Sequence, residues 1–443
     1  MGAAASRRDV GSPARATVVG GGPGGLMAAE VLARAGLDVV VYEHMASVGR
    51  KLLLAGRGGL NLTHSEPLER LLGRYTSLPP ALEAALRAFG PDELRGWCAE
   101  LGEPTFVGSS GRVFPQSFRA TPLLRAWLAR LRDQGVQFRV RHRWLGWDDG
   151  ASDTDAERAA SAGPGGAAGG GDTDRGTLRR SRFETPDGTV VVDDSDVTVF
   201  ALGGASWPRV GSTGTWVGEF QRGGIEVRPL RAANVGVRVD WTPVFVGRFA
   251  GTPLKNIAVG VAGAETLGRG DAMVTGTGLE GGPVYAVGAA IREALDAGSC
   301  VVTVDLLPDR SSADLAQRLA SIRRPKDSIA TWLRRAGVDA AAVGLAREVT
   351  GNRLPADAEA MAALLKAVPV PVAALMPIDR AISTAGGVAF DEVDDAFMLR
   401  RMPGVFVVGE MLDWEAPTGG YLLQATFSTA VRAAKGAVAW VRD

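Results

Sequence analysis

The sequence predicts an α/β protein whose parallel sheet draws strands from both ends of the chain, with a β-rich region and a helical subdomain inserted between them. Three observations carry this reading. A strand–glycine turn–helix–strand unit opens the chain, a strand–glycine turn–helix unit closes it, and the middle passes from strand-like to helix-like patterning. At 443 residues the chain exceeds a usual single domain. Hydrophobic residues at 46% and charged residues at 22% fit a globular protein. The 49 basic and 49 acidic side chains cancel, which argues against a nucleic-acid or membrane-surface partner.

The opening unit is "ATVVGGGPGGLMAAEVLARAGLDVVVYE". Its β-branched run ends at Gly20, an Ala- and Leu-rich helix runs to Gly36, and a second strand ends in the acid Glu43. Each part has a physical task. Gly20 permits the tight turn, Gly22 admits the backbone to a pyrophosphate, and Gly25 lets helix and strand pack closely. Pro23 and Gly24 open the helix, whose free N–H groups and positive dipole end face the phosphates. Glu43 can accept hydrogen bonds from ribose hydroxyls, which favours NAD or FAD over NADP. A Rossmann-like dinucleotide domain is therefore expected from residue 15 onward.

Next comes "HMASVGRKLLLAGRGGLNLTHSEP", a second glycine-rich loop carrying Arg50, Lys51, Arg57, Gly58 and Asn61, which a simple NAD domain lacks. This loop resembles that of the BaiN/RdsA-type, aminoacetone-oxidase-like family of FAD flavoproteins, in the subgroup with a "GRGGLNLTHSE" loop. The commoner family form carries a cysteine there, and this chain has Leu60 before Asn61 instead. The resemblance implies FAD as cofactor, with Lys51, Arg57, Gly58 and Asn61 among its contacts. Read without it, these residues form a solvated loop.

The C-terminal return, "GVFVVGEMLDWEAPTGGYLLQATFSTAVRAAKGAVAWV", repeats strand, acid, glycine turn and helix. It resembles the flavoprotein motif in which an acid meets the ribityl or pyrophosphate region, with Glu410 after Gly409 where Asp is usual. By the same resemblance, Gly419, Gly420, Tyr421 and Leu422 begin a helix aimed at flavin N1 and O2, where its dipole would favour the reduced ring. Trp207, Trp414 and Tyr421 flank these turns and are candidates to line a substrate pocket.

Between the ends, residues 1–14 read as a disordered lead and 15–205 as the first part of the FAD domain. Within it, the Gly- and Ala-rich stretch 148–177 reads as a disordered loop, because it lacks large apolar residues. The "PDG" turn marks a hairpin. Residues 206–310 carry strand-like runs and 311–370 helix-like ones, which the resemblance makes a β-rich insert with a helical subdomain, and 371–443 read as the return. A second G-x-G-x-x-G spacing, at Gly276, Gly278 and Gly281, would be a candidate NAD(P) site, but Pro283 and its place in the insert favour a structural turn.

Cys98 and Cys300 stand alone and the three histidines are scattered, so neither a disulfide framework nor a metal centre is expected. "MGAAAS" and "SRR" mimic lipidation and export signals without the apolar segment an export signal needs, and no run suits a membrane span. The function expected is an FAD-dependent oxidoreductase in the cytoplasm, acting on a small organic molecule with NAD(P)H as donor. The alternatives are an O2-using oxidase of the aminoacetone-oxidase type and, against the neutral charge, a flavin-dependent RNA-modifying protein. No catalytic side chain beyond the cofactor stands out.

Overall fold

The computed structural model describes residues 13–148, 180–264 and 266–443. The expected disordered lead and the loop at 148–177 lie outside the described residues except at their edges. The chain divides into two compact units: residues 1–230 with 385–443, and residues 231–384.

Unit 1 contains strands β1 (Arg15–Val19), β2 (Asp38–Glu43), β3 (Thr63–His64), β4 (Thr105–Val107), β5 (Arg112–Pro115) and β6 (Gln137–Val140). A five-stranded sheet runs in the order β6, β2, β1, Val197–Phe200, Val405–Val407, and every pairing is parallel. Two strands lie to one side of β1 and two to the other, so the strand order reverses at β1. In such sheets ligands bind at that reversal, outside the carboxyl ends of the strands. The central strand is buried on both faces, which is why "RATVV" shows no polar alternation. The first helix, Pro23–Arg34, packs against the C-terminal helix, Tyr421–Arg442, although they stand at opposite ends of the sequence.

The first helix also buries a charge. Glu30, 1% exposed, accepts from both Trp97 Nε1 at 3.0 Å and Trp127 Nε1 at 2.7 Å, and pairs with Arg130 at 3.1 Å. With its lone pairs occupied, the carboxylate is tolerated inside the core. A small antiparallel sheet, β3–β5–β4, stands beside these layers. The "PDG" turn joins Ser181–Glu184 to Val190–Asp193 as an antiparallel hairpin.

Unit 2 is a seven-stranded antiparallel sheet with helices Ser312–Ile322, Ile329–Ala336, Ala340–Val349 and Ala358–Lys366. Its edge strand Val368–Val372 reads "VPVPV", with the valines buried and the prolines exposed, as an edge position allows. The unit is shifted relative to the expected insert. Residues 206–230 belong to unit 1, because Trp216, Phe220, Ile225 and Val227 pack into its core. Residues 371–384 belong to unit 2, where Val372 and Ala374–Leu375 extend the sheet.

Candidate functional site

The turn after β1 is as tight and closely packed as Gly20 and Gly25 predict. Gly20 has φ +109°, and a Cβ there would stand 2.4 Å from the Ala201 carbonyl oxygen. At Gly25 a Cβ would stand 1.9 Å from the Gly20 carbonyl oxygen, so only glycine allows helix and strand this close. Gly22 is the opposite case: a Cβ there meets nothing within 4 Å. The helix that follows has no side-chain cap, which leaves its first N–H groups to an outside acceptor. Pro23 occupies its first turn, where a missing N–H costs nothing, and Gly24 packs near Thr426 of the C-terminal helix. Glu43 is buried and braces the turn, accepting from Gly21 N at 2.8 Å and Met45 N at 2.7 Å.

The glycine-rich loop and the C-terminal return meet. Lys51 Nζ lies 2.6 Å from Glu410 Oε2 and donates to Ser206 Oγ at 2.8 Å. Glu410 also accepts from Gly204 N at 3.3 Å, in the turn after Val197–Phe200. Three turns at the carboxyl ends of sheet strands thus converge through one partly buried ion pair. Gly409, at φ +68°, is tied to the C-terminal helix by its N–H to Thr429 Oγ1 at 3.0 Å. Gly419 and Gly420 take φ +129° and +101°. A Cβ on Gly420 would stand 2.5 Å from Thr63 Cα, so glycine brings the helix N-terminus against β3.

Buried polar atoms mark what the cluster could hold. Of eight buried side-chain polar atoms without a hydrogen-bond partner among the described residues, four are Arg50 Nε, Asn61 Oδ1, Thr63 Oγ1 and Ser212 Oγ. All four come from the glycine-rich loop, β3 and the turn facing Glu410. A Cβ on Gly203 would lie 3.3 Å from Ser212 Oγ and 3.8 Å from Glu410 Oε2. Orphaned buried polar atoms cost stability unless an outside partner satisfies them. With the open space over Gly22 and the acid Glu43, these residues fit a bound dinucleotide such as FAD.

The other predicted positions differ in their surroundings. Arg57 and Gly58 are exposed, and no ion pair of Arg57 occurs among the described residues. Trp414 is core, 4% exposed, with its N–H donated to the Gly409 carbonyl at 2.8 Å, so it does not line a pocket. Leu422 is half-buried in the first turn of the C-terminal helix. Tyr421 is buried, donates to Glu66 Oε1 at 2.6 Å and stacks on His64 at 5.5 Å. Burial and the neighbouring Glu66 carboxylate push its phenol well above the ordinary range, so it stays neutral. Thr63, Ser206 and Ser212 carry no motif that marks them in the sequence.

The second glycine spacing is not a dinucleotide turn. Gly276 lies in a hairpin between Gly268–Thr275 and Gly278–Glu280, and Gly278 is itself a strand residue paired with Arg238 and Thr275. Unit 2 also holds a cavity of about 350 Å³ bounded by Asn256, Asp309, Arg310 and Asp339, but Asn256 and Asp309 already pair at 2.6 Å. Cys98 is buried and its thiol is pushed up to about 12 by burial, so it is no nucleophile at neutral pH. Among the described residues no group of three or more His, Cys, Asp or Glu could hold a metal. No helix among them is long and apolar enough to cross a membrane.

The family described as HI0933-like protein Rossmann domain matches residues 14–162 and 179–436. The chain belongs to the HI0933-like family. This chain is an FAD-dependent oxidoreductase with a Rossmann-like, discontinuous cofactor domain. The 3-dehydro-bile acid delta(4,6)-reductase of Clostridium scindens is 25% identical over 445 residues, covering 96% of this chain and 98% of that protein. Among solved structures, the 3-ketosteroid-delta4-(5alpha)-dehydrogenase of Rhodococcus jostii RHA1 is 16% identical, covers 98% of this chain and 99% of its own, and gives a TM-score of 0.46. The 3-ketosteroid delta1-dehydrogenase of Sterolibacterium denitrificans is 12% identical, covers 96% and 99%, and gives 0.47.

Proposed function

We infer that this HI0933-like protein is a cytoplasmic reductase or dehydrogenase of a small organic substrate, with NAD(P)H as electron donor to its FAD. The observation that supports it best is the set of orphaned polar atoms, Arg50 Nε, Asn61 Oδ1, Thr63 Oγ1 and Ser212 Oγ, together with the convergent Lys51–Glu410 pair. The likeness to a bile-acid reductase along nearly the full length of both chains favours reduction of an apolar ring substrate. The loop "GRGGLNLTHSE" marks the subgroup, and its lack of cysteine leaves the loop no thiol for chemistry.

Bound FAD would supply the two-electron chemistry. This chain's residues do the rest. Gly22 would leave room for the pyrophosphate and Glu43 would accept from the ribose, while Lys51 holds Glu410 at the strand ends. The C-terminal helix presents its uncapped N-terminus, which would stabilise negative charge on the reduced ring.

Mixing oxidised holoprotein with NADH or NADPH under anaerobic conditions tests this reading. Bleaching of the flavin by either donor is expected. A flavin that neither donor reduces, but that a substrate reduces and O2 reoxidises, would make the protein an oxidase instead.

A further inference from the structure

The small sheet β3–β5–β4 has one face that none of this chemistry uses. Pairing places His64 opposite Arg112 and Phe106 opposite Phe114, so these four side chains share a face, while Thr63 and Val113 point the other way into the core. Phe118 joins them, with its ring 5.0 Å from Phe114 and 6.4 Å from Phe106. Phe106 is 40% exposed and Phe118 45%, which makes a contiguous aromatic patch and not a single stray side chain.

The patch is built, not accidental. Phe118 sits at φ +58°, a strained conformation for a bulky residue, held by its N–H to the Pro115 carbonyl at 2.8 Å and by Leu60 N to its own carbonyl at 3.1 Å. Gly59 makes room for it, since a Cβ there would stand 2.4 Å from the Phe118 ring. The strain thus presses an exposed ring onto the glycine-rich loop. At the other end of the face stands Arg112, exposed, with no ion pair among the described residues. Its Nε lies 3.9 Å from the position of a Cβ on Gly419, and the neighbouring His64 stacks on Tyr421. The face therefore runs from the turn read above as the flavin-ring contact, through a cation without a counter-charge, to three phenyl rings.

The geometry points to a substrate subsite on this face for a flat apolar ring system that carries a carboxylate: Arg112 takes the carboxylate and Phe106, Phe114 and Phe118 take the rings. The assignment rests on the flavin reading only for its position beside the cofactor. The anion contact and the aromatic contact stand on the sheet alone.

Titrating the holoprotein with 2-naphthoate and with its uncharged counterpart 2-naphthamide tests it, by calorimetry and by perturbation of the visible flavin band together. Naphthoate is expected to bind and to shift the band. Arg112→Gln should weaken naphthoate about tenfold to a hundredfold and leave naphthamide within about twofold. Phe106→Ala combined with Phe118→Ala should weaken both about tenfold or more. Naphthoate binding that ignores Arg112→Gln, or no binding at all, overturns the subsite. So does a wild type that sediments as a dimer while the double phenylalanine variant is a monomer, because the face is then covered by a second copy. Binding that depends on Arg112 but leaves the flavin band unmoved overturns the placement beside the cofactor. A colourless protein overturns the flavin reading instead, and calorimetry still decides the anion contact.

Discussion

One glycine spacing occurs twice in this chain, at Gly20, Gly22 and Gly25 and again at Gly276, Gly278 and Gly281, and the two regions use the middle residue in opposite ways. At Gly22 a side chain would enter open space. At Gly278 it would stand 1.7 Å from the Val237 carbonyl oxygen of the neighbouring strand. The first glycine is open for a ligand, and the second is closed by its own sheet. Packing requires only the second to be small, so spacing alone does not separate an open turn from a packed one. What separates them is the place of the middle glycine: Gly22 caps a twelve-residue helix, whereas Gly278 is the first residue of a three-residue strand.

The contrast makes predictions of decreasing size. Gly278→Val should cost about 3 kcal/mol or more, because a backbone carbonyl in a sheet cannot move aside. Thermal unfolding followed by circular dichroism measures this. A variant that melts like wild type but no longer accepts electrons from NAD(P)H would restore the second spacing as a nucleotide site. Gly22→Val should leave melting of the cofactor-free chain nearly unchanged while weakening FAD by about a hundredfold or more, since the added methyls occupy the space left for the pyrophosphate. Full FAD content after dialysis of that variant would break the first half of the comparison.

Smaller effects sharpen it. Lys51→Met and Glu410→Gln, separately and together, should show a coupling of about 0.5–2 kcal/mol in the stability of the holoprotein, reporting the ion pair that joins the loop to the return. Additive losses would mean that the two residues act independently. The smallest effect concerns Glu66. Burial alone would raise its carboxyl, but hydrogen bonds from Arg74 and Tyr421 more than offset this and hold it below the ordinary range. A lowered folded-state value means stability that is present above the unfolded value, about 4.3, and is lost as pH falls through the folded one. Glu66→Gln should remove about 0.5 kcal/mol of that acid-side dependence in urea melts between pH 5 and 3, values chosen to bracket it. An unchanged slope would show that the Arg74–Glu66–Tyr421 chain contributes nothing.

The opening motif was legible because its information is local. Strand, turn, helix and acid follow one another from Arg15 to Glu43, and each leaves a periodic or compositional trace. The rest of the site depends on pairs far apart in sequence. Lys51 and Glu410 are 359 residues apart, and the indole of Trp127 lies 97 residues from the buried Glu30 it satisfies. Such pairs leave no periodicity to read. The unit boundary was displaced for a related reason: Trp216 and Phe220 read as core residues in any domain, and only packing shows which core. Thr63 carries no mark in the sequence, because only packing buries its hydroxyl without a partner among the described residues.

The packing of the first helix against the last has a consequence in time. Unit 2 is one uninterrupted stretch, residues 231–384, and can condense as it leaves the ribosome. The cofactor domain cannot. Its first helix ends at Arg34 and the helix it packs against starts at Tyr421, roughly 390 residues later, a wait of roughly 20–80 s at about 5–20 residues per second. From the synthesis of Phe200 until that of Val405, the strand Val197–Phe200 lacks its neighbour Val405–Val407, and the nascent chain presents an unpaired, mostly apolar sheet edge. The helix partner of Pro23–Arg34 is complete only once Arg442 has emerged, so a ribosome that stalls before it leaves an aggregation-prone chain, not a weakly active enzyme.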